Sequence, residues 1–78
     1  MNEMINKIGE TLVIKMRVVN TAKRDGYYEG NFRECPFYSE FVGMTKMLKT
    51  MDIDFEIDYD DSVTYMKAIT VMGKRFEV

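Results

Sequence analysis

The chain has 78 residues, 11 of them Lys or Arg and 13 Asp or Glu, for a formal net charge of −2; His and Trp are absent and Cys35 stands alone. A length of this order supports one domain, here spanning 1–78, that buries roughly 60% of the surface its unfolded chain exposes. Without His the commonest general base is missing, and one Cys cannot supply the four ligands of a structural zinc site. Small secreted domains usually carry several disulfides, so a single thiol points to an intracellular, cytoplasmic protein. Met1 to Lys7 lacks a basic segment followed by an apolar run, so no signal peptide is expected. No apolar stretch approaches the roughly 20 residues needed to span a bilayer.

In chain order, Asn2–Ile8 has Met4, Ile5 and Ile8 at helical spacing with Gly9 after them. This predicts a short N-terminal helix stopped by the glycine. Thr11–Val19 reads as a strand: Leu12, Ile14, Met16 and Val18 share an apolar face, and Thr11, Val13, Lys15, Arg17 and Val19 the other. Asn20–Cys35 reads either as a loop or as a hairpin turning at Asp25-Gly26, with a second strand over Tyr27–Phe32. The main helix is predicted over 36–51. Pro36 suits its first position, and Ser39 is a second candidate cap. Phe37, Phe41, Met44, Leu48 and Met51 follow at intervals of four, three, four and three and mark one apolar stripe. Gly43 lies off that stripe without an evident reason.

Asp52–Asp61 alternates strictly. Ile53, Phe55, Ile57 and Tyr59 are apolar, while Asp52, Asp54, Glu56 and Asp58 are acidic. This is the pattern of a half-buried strand. Asp60-Asp61-Ser62 should turn the chain, Val63–Met72 should form the next strand, and Gly73-Lys74 should make a hairpin into Arg75–Val78. The expected fold is α+β, in the order β(β)αβββ. It has a small, mainly antiparallel sheet of three to five strands with the main helix on one face, and a possible short N-terminal helix.

Catalytic chemistry finds little support. A reactive Cys needs a base or a depressed pKa, so Cys35 reads as a buried thiol near a helix start. Ser39 and Ser62 suit capping and turn roles. The five glycines match no phosphate-binding spacing. A calcium loop starting at Asp52 would need Gly at its sixth position and Glu at its twelfth; Ile57 and Val63 stand there. No enzyme activity, cofactor or metal is expected, beyond a loose cation near Asp58, Asp60 and Asp61.

The acidic run is the most distinctive surface. Asp52, Asp54, Glu56, Asp58, Asp60 and Asp61 contain no basic residue among them and leave the remainder of the chain at +4. The plain interpretation is a solvated strand face, with Lys15 and Arg17 of the neighbouring strand pairing with Asp54 and Glu56, and Lys67 adding a third partner. The functional interpretation is a docking ridge. Carboxylates about 6.6–6.8 Å apart along a strand resemble a nucleic-acid charge array and could fill a basic groove on a partner. A second surface combines Lys23, Arg24, Tyr27, Tyr28, Phe32 and Arg33, basic and aromatic residues of the kind that bind single-stranded nucleic acid or anchor a protein contact. Eight Met residues are many for this length. They suit core filling, with Met47, Met66 and Met72 also able to line an adaptable surface or a dimer contact.

The expected function is therefore non-enzymatic. The chain should inhibit or modulate a protein with a basic groove, such as a nucleic-acid-binding host or defence protein, through the acidic strand. In size, charge and lack of catalytic residues it is similar to small acidic proteins of phages and mobile elements, anti-CRISPR inhibitors among them, although no motif carries that likeness. Alternatives are a nucleic-acid-binding module acting through the basic loop, or a homo-oligomer that binds a small ligand.

Overall fold

Ile5, Ile8, Leu12, Met16 and Val19 recur at intervals of three, four, four and three. In the computed structural model, which describes residues 2–26 and 35–78, this helical period continues through one helix, α1 (Asn2–Arg24). The strand expected over Thr11–Val19 is thus corrected to helix, and the short N-terminal helix extends to Arg24. The alternating pattern misassigned the faces: Val13 and Val19 are buried, whereas Ile14 and Val18 are exposed. Asp25 and Gly26 close the helix, with Asp25 N–H donating to the Thr21 carbonyl at 3.0 Å. Of the proposed hairpin, Asn20–Arg24 is helical, and the strand over Tyr27–Phe32 lies outside the described residues.

Gly9 does not stop α1. A Cβ built on it would lie 2.3–2.5 Å from three ring carbons of Phe76. The missing side chain makes room for an aromatic ring against the helix backbone.

The main helix, α2, runs Pro36–Thr50, with Pro36 in its first turn and Cys35 at the N-cap. Cys35 is a fully buried free thiol at the helix start, as expected. Ser39 is not the cap; it lies in the first turn, its N–H donating to the Cys35 carbonyl at 2.9 Å. The apolar stripe is buried at Phe41 and Leu48, while its ends, Phe37 and Met51, are exposed.

Three strands follow as an antiparallel meander in the order β1-β2-β3: β1 (Phe55–Tyr59), β2 (Met66–Val71) and β3 (Lys74–Glu77). The α+β class is therefore observed, with element order ααβββ. Met72 and Gly73 form the two-residue β2–β3 turn, with φ of 50° and 84°. Both central residues are left-handed, as a type I′ turn requires, and the turn sits one residue earlier than the pattern predicts.

Helix–sheet contact is concentrated between α1 and the pair β2–β3, and α2 packs on α1. The core joins Leu12, Met16 and Val19 of α1 to Phe41 and Leu48 of α2 and to Met66, Ile69 and Val71 of β2. No helix among the described residues is long and apolar enough to cross a membrane.

Candidate functional site

The acidic strand lies at an edge. β1 pairs only with β2 among the described residues, while β2 occupies the centre. Register places Phe55 beside Val71, and Ile57 beside Ile69, which in turn faces Phe76. These side chains meet the core. The opposite, outer face carries Glu56-Thr70-Arg75 in one row and Asp58-Ala68-Glu77 in the next. Between Asp58 and Tyr59 the register shifts, leaving Lys67 of β2 without an opposite residue. This bulge lies within the strand expected over Val63–Met72, of which Met66–Val71 is extended.

The charges do not pair as the sequence suggests. Lys15 and Arg17 sit on α1 rather than on a neighbouring strand, and Lys15 pairs with Glu40 of α2. No ion pair joins Lys67 to the acidic run among the described residues. The basic partner is instead Arg75 of β3. Its Nη2 reaches Asp58 Oδ2 at 3.0 Å and its Nε reaches Glu77 Oε1 at 2.6 Å. Glu77 first and Asp58 second raise the Arg75 pKa above its ordinary value. Arg75, opposite Thr70, reaches diagonally across β2 to Asp58, whose own opposite residue there is the small, fully buried Ala68.

Asp60 is committed to the β1–β2 connection. Its Oδ1 accepts the Thr64 N–H at 2.9 Å, the Tyr65 N–H at 3.2 Å and the Ser62 hydroxyl at 3.0 Å. The Thr64 bond leads in holding its carboxyl below the ordinary value; burial comes next and opposes it, and the Tyr65 bond, the Ser62 bond and the charge of Lys23 add to the lowering. Asp61 is exposed in the same turn. Asp52 follows α2 with φ of 56°, and Asp54 leads into β1, its carbonyl accepting the Met72 N–H at 2.9 Å. Asp52, Asp54, Glu56 and Asp61 are exposed and have no ion-pair partner among the described residues. The ridge of six carboxylates thus divides. Asp58 is neutralised by Arg75, Asp60 shapes the turn, and four carboxylates remain open.

The second surface also divides. Lys23 Nζ donates to the Thr64 carbonyl at 2.9 Å, tying α1 to the β1–β2 turn. Arg24 Nε lies 3.3 Å from Asp25 Oδ1. Tyr27, Tyr28, Phe32 and Arg33 lie outside the described residues. The sequence reading missed Asn20. Its amide donates to the Met66 carbonyl at 2.8 Å and accepts the Met66 N–H at 3.0 Å. One side chain thereby satisfies both main-chain groups at the start of β2, as a neighbouring strand would. Only the tertiary fold reveals this role; in the sequence, Asn20 looks like a loop residue.

The methionines also separate into two groups. Met16 and Met66 are buried, whereas Met4, Met47, Met51 and Met72 are exposed. Met4, Met44, Met47 and Met51 line a groove of about 360 Å³ between α1 and α2, with Lys7 beside it. The chain matches no protein-family model, no curated protein and no solved structure.

Proposed function

We propose that the protein is a non-enzymatic binding protein that inhibits or modulates a partner carrying a basic surface, and that it docks through β1 and the residues flanking it. The observation that supports this reading is the placement of Glu56 on the edge strand, with Asp54 leading into it and Asp52 in the preceding turn, all exposed and without ion pairs among the described residues. Complementary charge of this kind speeds encounter and weakens with salt. The edge position gives a partner access to a strand that a central position would deny. A basic, nucleic-acid-binding host or defence protein suits such an edge, and the setting proposed from size and charge is that of phage or mobile-element inhibitors. The test compares capture from the native host's lysate by the wild type and by the folded Asp54→Lys/Glu56→Lys variant. A partner held by the wild type should be lost from the variant and should elute at moderate salt; equal capture by both refutes the reading.

A second reading rests on the α1–α2 groove, whose methionine lining is adaptable and whose size suits a small apolar ligand. Native mass spectrometry of the purified protein tests it by a retained ligand mass. A protein that is ligand-free as purified and shows no shift with added medium-chain fatty acid refutes it.

A further inference from the structure

The docking edge has a main chain as well as charges. Met72 N–H donates to the Asp54 carbonyl, and Asp60 N–H donates to the Tyr65 carbonyl at 3.0 Å. Both of these even-numbered residues therefore turn main-chain groups toward the rest of the meander. Successive residues in a strand direct their main-chain groups to opposite edges. Glu56 and Asp58 follow Asp54 in facing β2, and the N–H and C=O of Phe55, Ile57 and Tyr59 face the other edge. Among the described residues no strand occupies that edge, and none of these groups has a main-chain bond outside the β1–β2 ladder.

The inner side of this edge is incompletely covered. Phe55 and Ile57 are only half-buried and Tyr59 is 44% exposed, because α1 packs over β2 and β3. The outer side carries the open carboxylates of Asp54 and Glu56, followed by Asp58, which pairs with Arg75. An occupant of this edge would need main-chain groups to pair, apolar residues toward Phe55, Ile57 and Tyr59, and cations toward the acids.

We propose that β1 accepts an extended segment of alternating basic and apolar residues from the partner, which adds as a fourth, antiparallel strand. This rests on the docking reading above and supplies its mode: strand addition. Charge complementarity decides the occupant. A second copy pairing β1 against β1 would bring two acidic rows onto one face, and like charges directly opposite destabilise a strand pair. A basic strand reverses the sign of each of those contacts. The geometry also fixes register parity. In an antiparallel pair, opposite residues share a face and alternate between exchanging both main-chain bonds and exchanging none. The partner's apolar residues lie opposite Phe55, Ile57 and Tyr59, so their amides make the bonds, and the amides of its basic residues point away.

The test uses a capped heptapeptide alternating lysine with valine and the full chain. Three further peptides accompany it: one N-methylated at the valines, one N-methylated at the lysines, and one with glutamate replacing lysine. Binding of the parent should slow hydrogen exchange at the amides of Phe55, Ile57 and Tyr59 by about tenfold or more. N-methylation at the valines should weaken binding about tenfold or more, since it removes direct main-chain bonds. N-methylation at the lysines should leave binding within about threefold, and the glutamate peptide should not bind. Equal binding by both N-methylated peptides, or no protection at those three amides, overturns strand addition while leaving docking by charge intact. Failure of the parent peptide to bind also overturns it, and the lysate comparison then judges the docking reading separately. Light scattering that shows a dimer with those amides already protected overturns it in favour of a second copy.

Discussion

Gly9→Ala in the middle of α1 tests the packing argument most sharply. Helix propensity alone predicts stabilisation of about 1 kcal/mol, the ordinary gain of Ala over Gly in a helix interior. The structure predicts the opposite sign. The added Cβ falls 2.3–2.5 Å from ring carbons of Phe76, far inside contact distance. Phe76 is held in β3 opposite Ile69, which is fully buried. Overpacking typically costs about 1–3 kcal/mol, and this overlap belongs at the upper end. Subtracting the propensity gain leaves a net loss of about 1–2 kcal/mol. Gly43→Ala is the internal control: it is also a helix-interior glycine, but nothing lies within 4 Å of the place its new methyl group would take. That variant should gain about 1 kcal/mol. Urea unfolding followed by circular dichroism should move the two midpoints in opposite directions at unchanged slope. Trimming the ring in Gly9→Ala/Phe76→Leu should recover part of the loss, giving a coupling energy of about 1 kcal/mol or more. If Gly9→Ala stabilises as much as Gly43→Ala, or the coupling is zero, the close-approach argument is wrong.

Asn20→Ala should cost about 1–3 kcal/mol, because it strips both partners from the Met66 main chain; a chemical-denaturation loss below about 0.5 kcal/mol would mean that solvent replaces them freely. The lowered Asp60 pKa makes its turn sensitive to acid. Its contribution is complete above the ordinary Asp value of about 3.9 and disappears as pH falls through the lower folded-state value. Asp60→Asn should therefore reduce stability at pH 7 and flatten the acid limb of the stability profile, as read by thermal melts between pH 2 and pH 7. Met72→Asn should raise stability by about 1 kcal/mol, since Asn tolerates the left-handed φ of 50° better than Met does and Asn-Gly favours this turn; an unchanged urea midpoint would count against that. Arg75→Gln frees Asp58 and Glu77 from their shared cation. It should tighten binding of the lysine–valine peptide and steepen its salt dependence, both readable by titration calorimetry.

The helix over 36–50 and the meander after it were legible because their signals are local. Pro36 opens a stripe with helical spacing, and the apolar–acidic alternation marks β1 over Phe55–Tyr59. The first third misled for physical reasons. Thr11, Val13, Ile14, Val18 and Val19 are β-branched and favour strands, and Gly9 resembles a helix stop. Both signals were overridden from a distance. The even-numbered apolar residues of 11–19 resemble a strand face, but the buried set Leu12, Val13, Met16 and Val19 follows the helical period. The glycine answers to Phe76, whose demand no window around residue 9 can reveal. The candidate site was legible as a set of charges. Its pairing was not, because Arg75 reaches Asp58 across an intervening strand and Lys15 belongs to a helix. Asp60 differs from its acidic neighbours through the donors that the turn aims at it, the Thr64 and Tyr65 N–H groups and the Ser62 hydroxyl.

The room that Gly9 makes for Phe76 also orders events in time. The first helix is completed by residues far along the chain: Gly9 meets Phe76, Asn6 bonds Lys74, and Asn20 bonds Met66, with sequence separations of 68 and 46 for the two hydrogen bonds. An isolated helix rich in β-branched residues is marginal in water, so α1 gains little until the sheet exists. The β2–β3 hairpin closes over two residues and needs no such wait. Folding should therefore start at the C-terminal meander and finish when α1 docks on it, with low φ-values in α1 and high ones across the hairpin.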